Sequence, residues 1–183
     1  MSVVKIKDKT FRTFITESEI LEKVKSVANK LNHDMDGKNP IFLAVLNGSF
    51  IFAADLIRNI TIPCEISFVK LASYEGDTTT GKVKKVIGLN TDIKDRDVVI
   101  VEDIVDTGTT MKNMLAELEV QKPKSVHICT LLVKPDKLKE AINIEYPAMK
   151  IPNDFIVGYG LDYDQQGRNL KDIYVVDDST QQD

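Results

Sequence analysis

VVIVEDIVDTGTT, residues 98–110, decides how this 183-residue chain is read. Four β-branched residues in succession, Val98–Val101, leave the segment no polar face, which marks a strand covered on both sides, as in a parallel sheet between helices. Such sheets bind ligands beyond the carboxyl ends of their strands, and Glu102 and Asp103 stand there. Two adjacent carboxylates at a buried strand end are costly unless they meet water, a cation or hydroxyl donors. Asp106, Thr107, Gly108, Thr109 and Thr110 follow. Glycine permits a tight turn, and successive backbone N–H groups form an anion-binding nest. The helix beginning there adds its positive dipole end, and threonine hydroxyls supply further donors. The segment is therefore expected to be a monophosphate cradle. It lacks the GKS or GKT ending of an ATP-type loop, which disfavours triphosphate hydrolysis. TGTT alone reads better as a plain capped helix start without a ligand, with Asp106 as an N-cap or Asx-turn. The whole string is more specific, because a buried strand runs directly into two acids, a third acid and then the loop.

Outward from this segment, the apolar run IFLAVL (41–46), bounded by Pro40 and Gly48, predicts a second buried strand. A helix is expected from about Ser49 through FIFAADLIRNI, and further strands at 64–70, 83–89 and 125–133, with a helix over about 109–120. Thr16 and Glu19 form a capping box that opens an amphipathic helix with Ile20, Leu21, Val24, Val27, Ala28 and Leu31 on one face. Alternating strands and helices predict an α/β fold: a central, mostly parallel twisted sheet flanked by helices. Residues 71–82, LASYEGDTTTGK, break the pattern and predict a mobile excursion. Residues 135–154 are irregular and hold Pro135, Pro147 and Pro152. One domain is expected over 1–183, its core at about 15–134, with a small hood lobe from the N-terminal residues and about 135–176, including short strands at 155–158 and 173–176.

The net charge of −4 argues against nucleic acid or an anionic membrane as the main partner, while leaving room for a local basic pocket. Cys64 and Cys129 lie in separate apolar runs and read as buried free thiols. No apolar run approaches the roughly 20 residues that span a bilayer, and MSVVKIKDKTF has no signal-peptide character. These features predict a cytoplasmic protein. His33 reads as a surface residue at a helix end and His127 as a strand residue, neither catalytic.

VVIVEDIVDTGTT closely resembles the phosphoribosyl pyrophosphate (PRPP) signature of type I phosphoribosyltransferases, and its EDIVDTG form resembles the branch that salvages 6-oxopurines, the hypoxanthine-guanine phosphoribosyltransferases. The resemblance runs from LNGS near residue 47 to DIYVV near residue 173. It implies the type I phosphoribosyltransferase fold and displacement of pyrophosphate from C1 of the ribose by a purine N9. It implies that Asp106–Thr110 hold the donor's 5′-phosphate, that Glu102 and Asp103 hold the ribose hydroxyls, and that Asp106 is the general base near purine N7. Mg²⁺ is implied as cofactor, with Glu102, Asp103 and the Asp162 of VGYGLDY as metal partners. LNGS matches the pyrophosphate loop, with Asn47 and Gly48 as binding residues beside Arg168. Many relatives carry lysine where this chain has Asn47, and the family often has a non-proline cis peptide here, expected at 47–48. Lys134 would donate to purine O6, Phe155 would stack on the ring, and Ile156 and Asp162 would complete the base pocket. Ser73 and Tyr74 would lead a lid that closes over the reaction. Relatives form dimers and tetramers, so a homodimer or homotetramer is implied.

Three other readings compete. A PRPP-sensing regulator of the same fold would need a basic surface or an added DNA-binding domain. A phosphoribosyltransferase for xanthine, orotate or uracil would keep the class and change the base. A flavodoxin-like redox protein would need a flavin or nicotinamide fingerprint, which is missing.

Overall fold

A computed structural model describes residues 2–74 and 83–177, with 72–74 and 83–87 described by their backbone. In chain order the elements are β1 (Val3–Ile6), β2 (Lys9–Ile15), α1 (Glu17–Asp34), β3 (Ile41–Leu46), α2 (Phe50–Arg58), β4 (Glu65–Tyr74) and β5 (Val83–Ile87). There follow β6 (Asp97–Val105), α3 (Thr109–Glu119), β7 (Ser125–Val133), β8 (Tyr146–Lys150), β9 (Ile156–Val157) and β10 (Ile173–Val176).

The main sheet has the order β5-β4-β3-β6-β7-β8. Its pairings are parallel except β4 with β5. Side-chain alternation divides each central strand between two cores. Phe42, Ala44, Val99, Val101, Cys129 and Leu131 face α1 and α2, while Ile41, Leu43, Val98, Ile100 and Ile128 face α3. Val98–Val101 are fully buried, as four β-branched residues without a polar face require. The Thr16–Glu19 capping box is formed in both directions. Of the expected α1 face, Ile20, Val24, Val27, Ala28 and Leu31 are buried. Leu21 is 41% exposed, because the helical turn carries it away from the stripe.

The order of the strands locates the site. From β3 the chain crosses to β4 on one side; from β6 it crosses to β7 on the other. The helices of these two crossings, α2 and α3, lie on opposite faces. A crevice therefore opens at the carboxyl ends of β3 and β6, where the winding reverses. β3 and β6 pair only as far as Ala44 and Val101, so Glu102 and the residues beyond it border that crevice.

A second sheet, β1-β2-β10-β9, forms the hood. The boundary expected at 135 needs correction. β8 pairs parallel with β7 as the last strand of the main sheet, from Cys129–Tyr146 to Val133–Lys150. Its sequence YPAMK conceals the strand because Pro147 lacks a ladder donor, a defect tolerated on an edge. The hood is tied down by main-chain crowding and by polar contacts. Tyr159 Oη donates to Asp55 Oδ2 of α2 at 2.6 Å, and Glu17 N donates to Asp172 Oδ1 at 2.7 Å. Burial and the Asp55 carboxylate push the Tyr159 hydroxyl far above the usual phenol range, so it stays a donor. Tyr159→Phe removes this tether from the half-buried Asp55 carboxylate, so a stability loss of about 1 kcal/mol is expected in urea unfolding; an unchanged midpoint would show the hood to be held by packing alone.

Candidate active site

The loop after β6 is built as its sequence demands. Gly108 sits at φ 83°, in the left-handed region, and is the residue from which α3 starts. No side chain caps α3. The Asp106 carboxylate is therefore not a helix cap. Its Oδ2 lies 3.4 Å from Lys137 Nζ, while its Oδ1 is buried and, among the described residues, without a hydrogen-bond partner. Buried polar atoms are nearly always paired, so an orphaned carboxylate oxygen at a cleft marks a place for a donor from outside. A cavity of about 200 Å³ opens here, lined among others by Leu46, Glu102, Asp106, Thr107, Gly108 and Thr110. Thr107 Oγ1 donates to Thr109 Oγ1 at 3.3 Å, which orders the rim of the loop.

The loop at 46–49, between β3 and α2, stands across the crevice. The Leu46–Asn47 peptide is cis, one residue before the bond expected at 47–48. Ser49 begins α2 but donates its hydroxyl to Val45 O at 2.6 Å, so this helix too opens without a side-chain cap. Gly48 is dictated by Asp103: a Cβ at position 48 would lie 1.6 Å from Asp103 Oδ2. Gly160, at φ 99°, comes equally close to Gly48, since a Cβ there would stand 2.1 Å from the Gly48 carbonyl oxygen. Arg168 Nη1 donates to Gly160 O at 2.8 Å, and Arg168 Nη2 pairs with Asp162 Oδ1 at 2.7 Å. Gln165 N donates to the other Asp162 oxygen at 2.8 Å. Asp103, Gly48, Gly160, Arg168 and Asp162 thus form one packed chain from the core sheet to the hood.

Lys134 directly follows β7 with 6% exposure, and its ammonium is shifted down first by burial, against the opposing pull of Asp106 and Asp154. It therefore lies between the phosphate loop and the hood. Phe155 is 45% exposed and borders Phe11 and Tyr163, with ring centroids 6.2 and 5.7 Å away. Ile156 turns its side chain into the core, and its strand β9 is the edge of the hood sheet, so one side of its backbone has no strand partner.

Among the described residues no group of three or more His, Cys, Asp or Glu side chains is arranged to hold an ion by itself. Asp103 Oδ1 accepts from Ile104 N at 2.8 Å, and both Asp162 oxygens are engaged as given above. An ion here would need oxygens from a ligand and water. Of the lid expected over Ser73–Lys82, residues 75–82 lie outside the described residues; Ser73 and Tyr74 end β4, opposite Lys84 and Val83. Sequence reading missed Lys137. A lysine in a turn looks like any solvated charge, and only the fold brings it to Asp106.

The matching family model, described as the phosphoribosyl transferase domain, covers residues 15–164. The chain belongs to the phosphoribosyl transferase family. A hypoxanthine-guanine phosphoribosyltransferase of Lactococcus lactis is 42% identical over 166 residues, 90% of each chain. One of Streptococcus mutans is 40% identical over 90% of this chain and 92% of its own length. Among solved structures, a hypoxanthine-guanine phosphoribosyltransferase of Bacillus anthracis superposes with a TM-score of 0.84 at 40% identity, over 94% of this chain and all of that one.

For a phosphoribosyl transferase the contact of Gly48 with Asp103 joins the two anion loops across the crevice. Gly48→Ala must displace the Asp103 carboxylate, and a displaced site group costs on the order of tenfold or more in kcat/KM. The expected result is that loss with a nearly unchanged unfolding midpoint; full activity would show that Asp103 moves aside freely.

Proposed function

We propose that this chain is a hypoxanthine(-guanine) phosphoribosyltransferase of purine salvage. It transfers the 5-phosphoribosyl group of PRPP to N9 of hypoxanthine, and of guanine, giving IMP or GMP and pyrophosphate. The observation that carries the reading is Asp106, a carboxylate on the phosphate loop with one buried oxygen lacking a partner, close to the buried cation Lys134. The names of the Lactococcus and Streptococcus relatives support the same substrate class.

The displacement at C1 develops oxocarbenium character, so the protein must hold the ribose, receive a departing pyrophosphate and take a purine proton. The nest at Asp106–Thr110 and the uncapped start of α3 suit the 5′-phosphate. Glu102 and Asp103 accept hydrogen bonds from the ribose hydroxyls. The Asp106 carboxylate, which lines the cleft and is partly exposed, takes the proton near N7. Lys134 donates to O6; against adenine it would meet an amino group and find no acceptor, which is the source of discrimination. Phe155 offers an open ring face for stacking, and the edge backbone of Ile156 reads the far side of the purine, next to Asp162. Asn47, Gly48 and the start of α2 receive pyrophosphate together with the remaining donors of Arg168. Asn47 contributes a hydrogen bond without charge.

Hard carboxylate oxygens on Glu102, Asp103 and Asp162 suit Mg²⁺, which keeps several waters and binds through one or two carboxylates plus substrate phosphates. Bound there, it would neutralise charge on the pyrophosphate. Ser73 and Tyr74 lead the lid in this reading. Small molecules are the partners: net charge is −4, and no helix of the described residues is long and apolar enough to cross a membrane. A cytoplasmic homodimer or homotetramer completes the proposal.

PRPP-dependent turnover measured with each purine tests it. Hypoxanthine or guanine should react, adenine should not, and removal of Mg²⁺ with a chelator should abolish product. Asp106→Asn should lose about 10²–10⁴-fold, mostly in kcat. Turnover of adenine at the rate of hypoxanthine, or a normal kcat in Asp106→Asn, would sink the assignment. Lys134→Gln, which replaces the cation with an amide that both donates and accepts, should narrow the preference for hypoxanthine over adenine, read as the ratio of kcat/KM values.

A further inference from the structure

We infer that Lys137 is a positioning residue for Asp106, acting through a strap of residues 134–142 that grips the phosphate loop from outside the cleft. The inference rests on the reading of Asp106 as the base. Three successive loop residues are held in order. Lys134 N donates to Val105 O at 3.1 Å, Lys137 Nζ to Asp106 Oδ2 at 3.4 Å, and Lys139 N to Thr107 O at 3.0 Å. Main-chain bonds thus fix the residues on either side of Asp106, and the lysine between them takes the carboxylate.

The strap is itself anchored. Pro135–Lys137 form a single 3₁₀ turn closed by Lys137 N donating to Lys134 O at 3.1 Å, which limits where the Lys137 side chain can start. Glu140 pairs with Lys112 of α3 at 2.7 Å. Gly108 packs against Leu138, Glu140 and Ile142, whose side-chain atoms would stand 3.1–3.4 Å from a Cβ at that position. The strap and the loop after β6 are thus packed together.

The chemical consequence follows from the geometry of a carboxylate. Rotation about the terminal torsion of aspartate is soft and nearly two-fold, so an untethered group would present either oxygen in a broad range of directions. With Oδ2 held by Lys137, Oδ1 is the oxygen left buried and without a partner. The tether limits the directions in which the carboxylate is presented at the cleft. Both side chains are partly exposed, at 41% and 43%, so the pair adds little to stability. Its contribution lies in orientation, which matters for proton transfer because the acceptor must stay within hydrogen-bond reach of the proton.

A double-mutant cycle on the full-length enzyme tests this, with Lys137→Gln, Lys137→Arg, Asp106→Asn and the double variant Lys137→Gln/Asp106→Asn. Lys137→Gln is expected to lower kcat by roughly tenfold, with the PRPP KM within about twofold of wild type. Lys137→Arg should restore most of the rate, and Lys137→Gln should cost little further in the Asp106→Asn background. An unchanged kcat in Lys137→Gln would overturn the inference, as would an equal loss with and without Asp106. A raised PRPP KM at full kcat would make Lys137 a donor-binding residue and overturn it as well. If Asp106→Asn is impaired while Lys137→Gln is not, only the role of Lys137 falls. A normal rate in Asp106→Asn removes the base assignment and this inference with it.

Discussion

β3 and β6 part company after Ala44 and Val101, and every part of the site depends on that separation. Up to that point the two strands share a ladder, and their apolar side chains fill the cores on both faces. Beyond it, β3 turns through residues 46–49 into α2 while β6 continues to Val105 and turns into α3 on the opposite face. Reversal of winding opens a gap at that point. Two helix starts without side-chain caps, two carboxylates and one orphaned aspartate oxygen border it. Apolar strands bury the hydrocarbon, and the polar termini are displaced to the place where a charged ligand can satisfy them.

Close backbone approach turns this gap into a defined site. Asp103 occupies the space a side chain at position 48 would need, and Gly48 O occupies that of position 160. Such contacts allow no slack, so the hood is registered on the core through glycine rather than through a flexible ion pair. Arg168 fixes the Gly160 carbonyl and the Asp162 carboxylate together, which makes it an organiser of the hood. On the other flank the strap at 134–142 holds the phosphate loop.

Much of this architecture is legible in the order of residues along the chain. VVIV can only be a covered strand, the Thr16–Glu19 box can only open a helix, and EDIVDTG places three acids beside an anion loop. The expected boundaries of β6, α3 and β7 fall within a few residues of the observed ones because β-branched runs and a glycine mark them. β8 is not legible: Pro147 and a length of five residues give no period, and its place at the sheet edge is set by β7 beside it. Leu21 reads as core because side-chain type does not report angular position finely enough to tell the edge of a stripe from its centre.

The sequence by itself determined the class of chemistry: residue types such as adjacent carboxylates, a glycine turn and a lysine at a strand end have few uses together, and local order along the chain suffices to read them. Tertiary structure decided the pairings. That Asp103 lies against Gly48, that Asp162 is engaged by Arg168 and Gln165, and that Lys137 reaches Asp106 all depend on distances between segments far apart in sequence. Side-chain identity carries no information about such distances; they arise only when burial of the two cores forces the strands into order.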